Sequence, residues 1–167
     1  LRALRCDDPV MFLEHREILT TKCHVPEHDY EIEFGKASIV REGTDVTVVA
    51  LAKMVPLTFA LCDALQRESI SVELIDPRTI SPLDTATILQ SVAKTGRLLI
   101  VEETPAAFGL GAEIAAQIAD AGFNDLDAPI KRVNGAFAPT PYAPSLEAAV
   151  VPSEIDVAQA IRELVRE

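Results

Sequence analysis

Apolar and polar positions alternate along this chain in two periods, and those periods predict its elements. Residues 37–41 and 46–51 are β-rich runs separated by Glu42-Gly43-Thr44-Asp45, a turn sequence. Residues 54–66 carry Leu57, Leu61, Ala64 and Leu65 at helical spacing, with Pro56 tolerable in the first turn. A strand is predicted at 71–75. Ser81-Pro82-Leu83-Asp84 then reads as a helix start, with Ser81 as cap, Pro82 at the first helical position and an acid three residues after the cap. That helix runs to about Lys94 and stops at Gly96. Residues 97–102 are nearly all apolar, as expected of a strand covered on both faces. A loop with Gly109 and Gly111 opens an Ala-rich helix to about Ala121, closed by Gly122, and a short strand follows at 130–133. Residues 134–151 are Pro- and Ala-rich and irregular. Ser153 caps a last helix whose stripe is Ile155, Ala158, Ile161 and Val165.

Strands alternating with helices imply an α/β fold of three layers, a mostly parallel sheet with helices on both faces. The turn after Arg41 is too short for a crossover, so the first two strands are expected to pair as an antiparallel edge. The start of the chain fits less easily. Residues 9–15 form an apolar run after a turn and read as a buried strand, and residues 16–35 read as a surface linker. A lone strand cannot satisfy its backbone groups, so that strand is expected to belong to a preceding domain that is mostly missing. The first residue is Leu1 rather than Met, which suggests a piece of a longer protein.

Composition narrows the functional classes. With 167 residues and 49% hydrophobic content, the chain suits one packed domain, with a fragment of a neighbour attached. The net charge of −11 makes nucleic acid a poor partner, because phosphates require clustered Lys and Arg. A basic protein partner fits, and so does plain solubility. Cys6, Cys23 and Cys62 show no disulfide spacing, which points to a reducing compartment. No apolar run is long enough to span a bilayer and no signal peptide is visible, so a cytoplasmic, bacterial location is expected with no membrane partner.

Candidate chemistry is sparse. Phe108-Gly109-Leu110-Gly111-Ala112 sits where a phosphate cradle belongs, but the third glycine position holds Ile114 and no Gly-Lys-Ser/Thr follows. A tight turn with close helix–strand packing is the preferred reading. Cys23, His24 and His28 would suit zinc, yet lack a fourth ligand at a standard spacing, so no metal is assigned. Asp76, Glu102 and Glu103 lie at carboxyl ends of strands, where open α/β sheets place ligand sites. Asp76 has Arg78 as a local ion-pair partner, and capping explains Asp84. Glu102 and Glu103 have no such explanation, and a structural pairing is preferred. His15 is the one catalytic candidate, facing the missing domain. No cofactor-binding residue is assigned.

The order of segments carries a resemblance. PVMFLEHREIL, YEIEFGKASIVREGTDVTVVALAKMV, VELIDPRTISPLDTATILQSVAKTGRLLIVEE, the Phe108-Gly109-Leu110-Gly111 loop and PTPYAPSLEAAVVP together resemble the carboxyl-terminal half of the β subunit of thiamine diphosphate-dependent 2-oxo acid dehydrogenases. That family includes the pyruvate, branched-chain 2-oxo acid and acetoin dehydrogenases. The resemblance implies a transketolase C-terminal-like domain at 36–167, a linker at 21–35, and the tail of a pyrimidine-binding domain at 1–20. It implies an oxidoreductase component using thiamine diphosphate and magnesium in the full enzyme, with none bound to this piece and no activity in it alone. Its implied partners are an α subunit, a second β subunit and the subunit-binding domain of the acyltransferase component. Phe108, Gly109, Phe137, Pro141, Tyr142 and Leu146 are the expected interface residues, because so apolar a loop wants a partner surface unless it folds on its own core. Ile18-Leu19-Thr20-Thr21 stands where relatives usually carry an aromatic residue, and Cys6-Asp7-Asp8 departs from the polar run seen there, which again leaves no metal assigned. A transketolase or deoxyxylulose phosphate synthase is an alternative parent, and a stand-alone acidic interaction module is a third reading.

Overall fold

The computed structural model describes all residues from Leu1 to Glu167. Its centre is a five-stranded sheet of β1 (Ser38–Arg41), β2 (Val46–Ala50), β3 (Val72–Asp76), β4 (Leu98–Pro105) and β5 (Lys131–Gly135), in the order β1-β3-β2-β4-β5. The helices are α1 (Arg2–Arg5, a single turn), α2 (Met54–Arg67), α3 (Thr85–Thr95), α4 (Leu110–Gly122), α5 (Pro144–Glu147, again one turn) and α6 (Glu154–Arg166).

Two apolar clusters flank the sheet, and the strand period of two sorts residues between them. Val46, Val48 and Ala50 of β2 join Met54, Cys62 and Leu65 of α2 and Val157, Ile161 and Leu164 of α6 on one face. Val49, Ile75 and Ile100 join Ile88 and Val92 of α3 and Ile114 and Ile118 of α4 on the other. Every residue of β2 is buried, which is why its sequence reads as an unbroken apolar run. This is the expected three-layer α/β fold.

The antiparallel edge is present, but its partner differs from the expected one. β1 pairs antiparallel with β3 (Ser38 opposite Asp76), and β2 pairs parallel with the other side of β3. Residues 42–45 therefore do not form a hairpin; they step across the end of β3. Two strand spacings are about 10 Å, within reach of four extended residues. The step presses the chain onto β3: a Cβ on Gly43 would lie 2.2 Å from the Val72 carbonyl carbon, and Thr44 and Asp45 both donate backbone N–H bonds to Ser71 O. Buried Glu73 accepts the Gly43 N–H at 3.2 Å and pairs with Lys94. Glycine and a buried acid, rather than turn propensity, set this crossing.

Other expectations also shift. Residues 9–15 form no strand, because no strand of these 167 residues lies beside them; Met11, Phe12 and Leu13 are 84%, 75% and 71% exposed. Asp84, not Ser81, caps α3, so the helix begins at Thr85. Its carboxylate accepts the Thr87 N–H and hydroxyl and also the Ala37 N–H at 2.9 Å, tying the start of β1 to α3. Gly96 ends α3 in the left-handed conformation, as expected. On α6 the buried face is Val157, Ala158, Ala160, Ile161 and Leu164, while Ile155 is 76% exposed because at about 100° per residue it lies on the side of the helix opposite Val157, Ile161 and Leu164.

Candidate functional site

The carboxyl ends of β2, β4 and β5 gather the glycine loop, Glu102, Glu103 and His15 among the residues singled out in the sequence. Glu102, at the end of the buried run of β4, is 1% exposed. One of its oxygens accepts the Gly111 N–H at 2.9 Å and the Asn134 side-chain amide at 2.8 Å, and the other accepts the Thr104 hydroxyl. A buried carboxylate requires such donors. Gly111 lies in the first turn of α4, so Glu102 caps that helix from the strand, where a negative charge is favoured. The glycine loop is thereby occupied by the protein's own carboxylate: a Cβ on Gly111 would lie 2.6 Å from Glu102 Oε1. This settles Glu102 and the glycines as parts of one structural lock.

Glu103, the next residue, points the other way and meets the catalytic candidate. His15 Nε2 lies 2.7 Å from Glu103 Oε2, and His15 Nδ1 accepts the Glu17 N–H at 3.3 Å. Glu17 in turn pairs with Lys53, which stands between β2 and α2. The Lys53 ammonium holds the Glu17 carboxyl below the usual glutamate range, against a smaller desolvation effect. Glu17, Lys53 and Leu57 line one side of a cleft of about 300 Å³, with Glu147, Val151 and Ser153 on the other. Asp76 forms no ion pair with Arg78; it accepts the Arg78 backbone N–H at 2.9 Å, a local turn that holds Arg78 at φ 56°. Cys23, His24 and His28 are exposed, and no three His, Cys, Asp or Glu side chains converge closely enough to hold a metal ion.

The six interface candidates line the loops that leave β4 and β5. Phe108 and Tyr142 stand fully in solvent, Phe137 is 85% and Leu146 58% exposed, while Pro141 and Gly109 are half-buried. Phe108 also holds φ at 60°, a conformation costly for an aromatic residue. Both loops are braced: Arg132 of β5 donates to Ala106 O of the loop after β4 at 3.0 Å, and within the loop after β5 the Ala136 N–H donates to Val150 O at 2.8 Å. Sequence reasoning missed Asn134, Thr104 and Lys53. No motif marks them: the partners of Asn134 and Lys53 lie 32 and 36 residues away, joined only by the fold, and Thr104 is two residues from Glu102 but matters only because that carboxylate is buried.

Comparison with known proteins places this geometry. The family model described as "Transketolase, C-terminal domain" matches residues 35–157. The pyruvate dehydrogenase E1 component subunit beta of Rickettsia felis is 45% identical over 164 residues, 98% of this chain and 50% of that protein. The acetoin:2,6-dichlorophenolindophenol oxidoreductase subunit beta of Cupriavidus necator is 39% identical over 99% of this chain and 49% of that protein. The chain thus spans about half the length of the relatives it matches. Among solved structures, a split-gene transketolase in an inactive β4 tetramer superposes with a TM-score of 0.73 at 24% identity, over 86% of this chain and 46% of the other, a likeness of fold.

Proposed function

The chain belongs to the transketolase C-terminal domain family, and on that premise we propose that it is the carboxyl-terminal half of the β subunit of a 2-oxo acid (pyruvate-type) or acetoin dehydrogenase decarboxylating component. The observation that carries this is the 45% identity, along 98% of the chain, to a pyruvate dehydrogenase E1 β subunit. Acetoin-oxidising relatives at 39% and 40% keep the second substrate class open. In this reading residues 36–167 are the assembly domain, residues 21–35 a linker, and residues 1–20 the tail of the pyrimidine-binding domain. The family match beginning at residue 35 supports that boundary, and the bare Met11-Phe12-Leu13 run supports a covering domain.

The work assigned to this half is recognition. Phe108, Phe137 and Tyr142 are of the aromatic types enriched at interfaces, and with Leu146 they stand on braced loops at one edge of the sheet. The partners proposed for that edge are the α subunit and the second β subunit. The net charge of −11 supports docking of a basic subunit-binding domain from the acyltransferase component. The full enzyme is proposed to work in the bacterial cytoplasm with thiamine diphosphate and magnesium. Two places in this chain that could have met a phosphate or a cation are taken: the strand-end carboxylate Glu102 accepts from three donors, and the glycine loop is filled. No chemical step is therefore assigned to these residues, and His15 is a structural partner of Glu103.

The test uses the full β subunit co-expressed with its α subunit. Phe137→Lys and Tyr142→Lys together are expected to lower the assembled mass in light scattering and to abolish pyruvate- or acetoin-dependent dye reduction. An unchanged mass would remove the interface assignment. Absence of dye reduction with every 2-oxo acid and with acetoin, in an assembled wild-type enzyme, would remove the dehydrogenase reading.

A further inference from the structure

Phe108 combines two properties that folding does not favour together. Its backbone holds φ at 60°, a region that β-carbon sterics disfavour and that glycine or asparagine fills at lower cost. Its ring lies wholly in solvent and joins neither core cluster. Strain persists only where the surrounding structure over-determines it. Here the surroundings do so without using the ring, so the ring's contribution lies outside the contacts of this chain.

Those surroundings are built on Glu102. The chain leaves β4, turns through Ala106, Ala107 and Phe108, and comes back against the strand at Gly109. A Cβ on Gly109 would stand 2.6 Å from Glu102 Oε1 and 2.8 Å from Pro105 O. Gly111 N–H then bonds the same Oε1 at 2.9 Å. Ala106, Ala107 and Phe108 alone remain to reverse the chain, and the left-handed Phe108 closes the turn. Asn134 of β5 holds this seat in place, donating to Glu102 Oε1 at 2.8 Å and to Thr104 O at 3.3 Å. Arg132 fixes Ala106 O from the same strand. The tail at His15 meets Glu103, on the other side of β4, so it does not account for the bare ring. Residues 105–110 read Pro-Ala-Ala-Phe-Gly-Leu, with no charged or hydrogen-bonding side chain, so the complement of this knob is an apolar pocket.

We propose that Phe108 is the anchor of the assembly edge, entering an apolar pocket on a partner subunit of the same enzyme, and that Glu102 and Asn134 are positioning residues that preset it. Presetting moves the cost of ordering the loop from the moment of association to the fold itself. This rests on the assembly reading above; within it, one of the six candidate residues carries the contact, and two residues outside the six act through it.

Dissociation of the assembled enzyme on dilution, followed by light scattering with the full β subunit co-expressed with its α subunit, tests this. Phe108→Ala is expected to raise the concentration of half-dissociation at least about tenfold, and Phe108→Leu, which keeps apolar bulk, by no more than about threefold. Asn134→Ala is expected to raise it about fivefold alone, but less than about twofold beside Phe108→Ala, because it acts through that ring. Phe108→Gly should dissociate like Phe108→Ala yet resist urea better, since glycine relieves the left-handed backbone; at an unstrained position that order is reversed. Unchanged dissociation of Phe108→Ala, a full Asn134→Ala effect in the double variant, or better urea resistance of the alanine variant would each overturn the anchor. A lowered urea midpoint of Phe108→Ala with unchanged dissociation would also overturn it, and would seat the ring against the preceding domain. Where Phe137→Lys with Tyr142→Lys also leaves the assembled mass unchanged, the assembly reading itself has failed; where that pair dissociates and Phe108→Ala does not, only the anchor has.

Discussion

Glu73 shows how one buried residue shapes both fold and pH response. Burial pushes its carboxyl up, but the Lys94 ammonium and the Gly43 N–H outweigh this and hold it below the usual glutamate range. A carboxyl depressed in the folded state adds stability that is fully present above its unfolded value and is lost as pH falls through the folded one. Asp84, buried yet bonded by Ala37 and Thr87, and Asp156, bonded by Ser153, act in the same direction. Stability to urea is therefore expected to decline below about pH 4, and Glu73→Gln to flatten that decline while costing about 1 kcal/mol at neutral pH. An equally steep acid limb in the variant would contradict it. Glu102 predicts a larger effect. Removing it leaves the Gly111 N–H and the Asn134 amide without their acceptor, and Glu102→Ala is expected to cost about 2 kcal/mol in a urea titration. Gly111→Ala should be destabilising too, because the added Cβ meets Glu102 Oε1 and Ile100 at 2.6 and 3.0 Å.

The elements differ in how locally they are determined. α6 carries its own start: Ser153 accepts the Asp156 N–H, and the Asp156 carboxylate accepts the Ser153 N–H at 2.8 Å, a complete capping box. Ser153→Ala is expected to lower stability by roughly 1 kcal/mol with an unchanged denaturant slope. β1 is the opposite case. Its four residues are legible as a strand, but its neighbour is chosen by the Gly43 step and Glu73, 30 residues ahead. Gly43→Ala places a Cβ 2.2 Å from backbone that cannot move without shifting β3, and is expected to cost about 3 kcal/mol in the same titration. α3 lies between these cases. Its stop at Gly96 was readable, whereas its start moved from Ser81 to Asp84 because Asp84 also serves Ala37 across the fold.

The proposed interface is a property of the chain taken together. Phe108, Phe137, Tyr142 and Leu146 come from two separate loops, and it is the pairing of β4 with β5 that brings those loops to one edge. If that edge is a docking surface, light scattering of the full β subunit mixed with a basic acyltransferase binding domain should show a complex at low salt that weakens at 0.5 M salt, where screening extends to about 4–5 Å. Equal binding at both salt concentrations would remove the charge-steered docking.

Sequence alone was enough for the layer order, the buried strands and most helix ends, because periodicity and caps act within a few residues of one another. It also sufficed for the family, through the order of segments from Pro9 to Pro152. The structure decided what depends on residues far apart in the chain. It turned the expected β1–β2 hairpin into a step over β3, left residues 9–15 without a partner strand, and assigned Glu102 to a helix cap and Glu103 to His15. A carboxylate at a strand end has the same sequence signature whether it serves a ligand or a lock. Only the three-dimensional arrangement of donors around it, contributed here by Thr104, Gly111 and Asn134, separates the two.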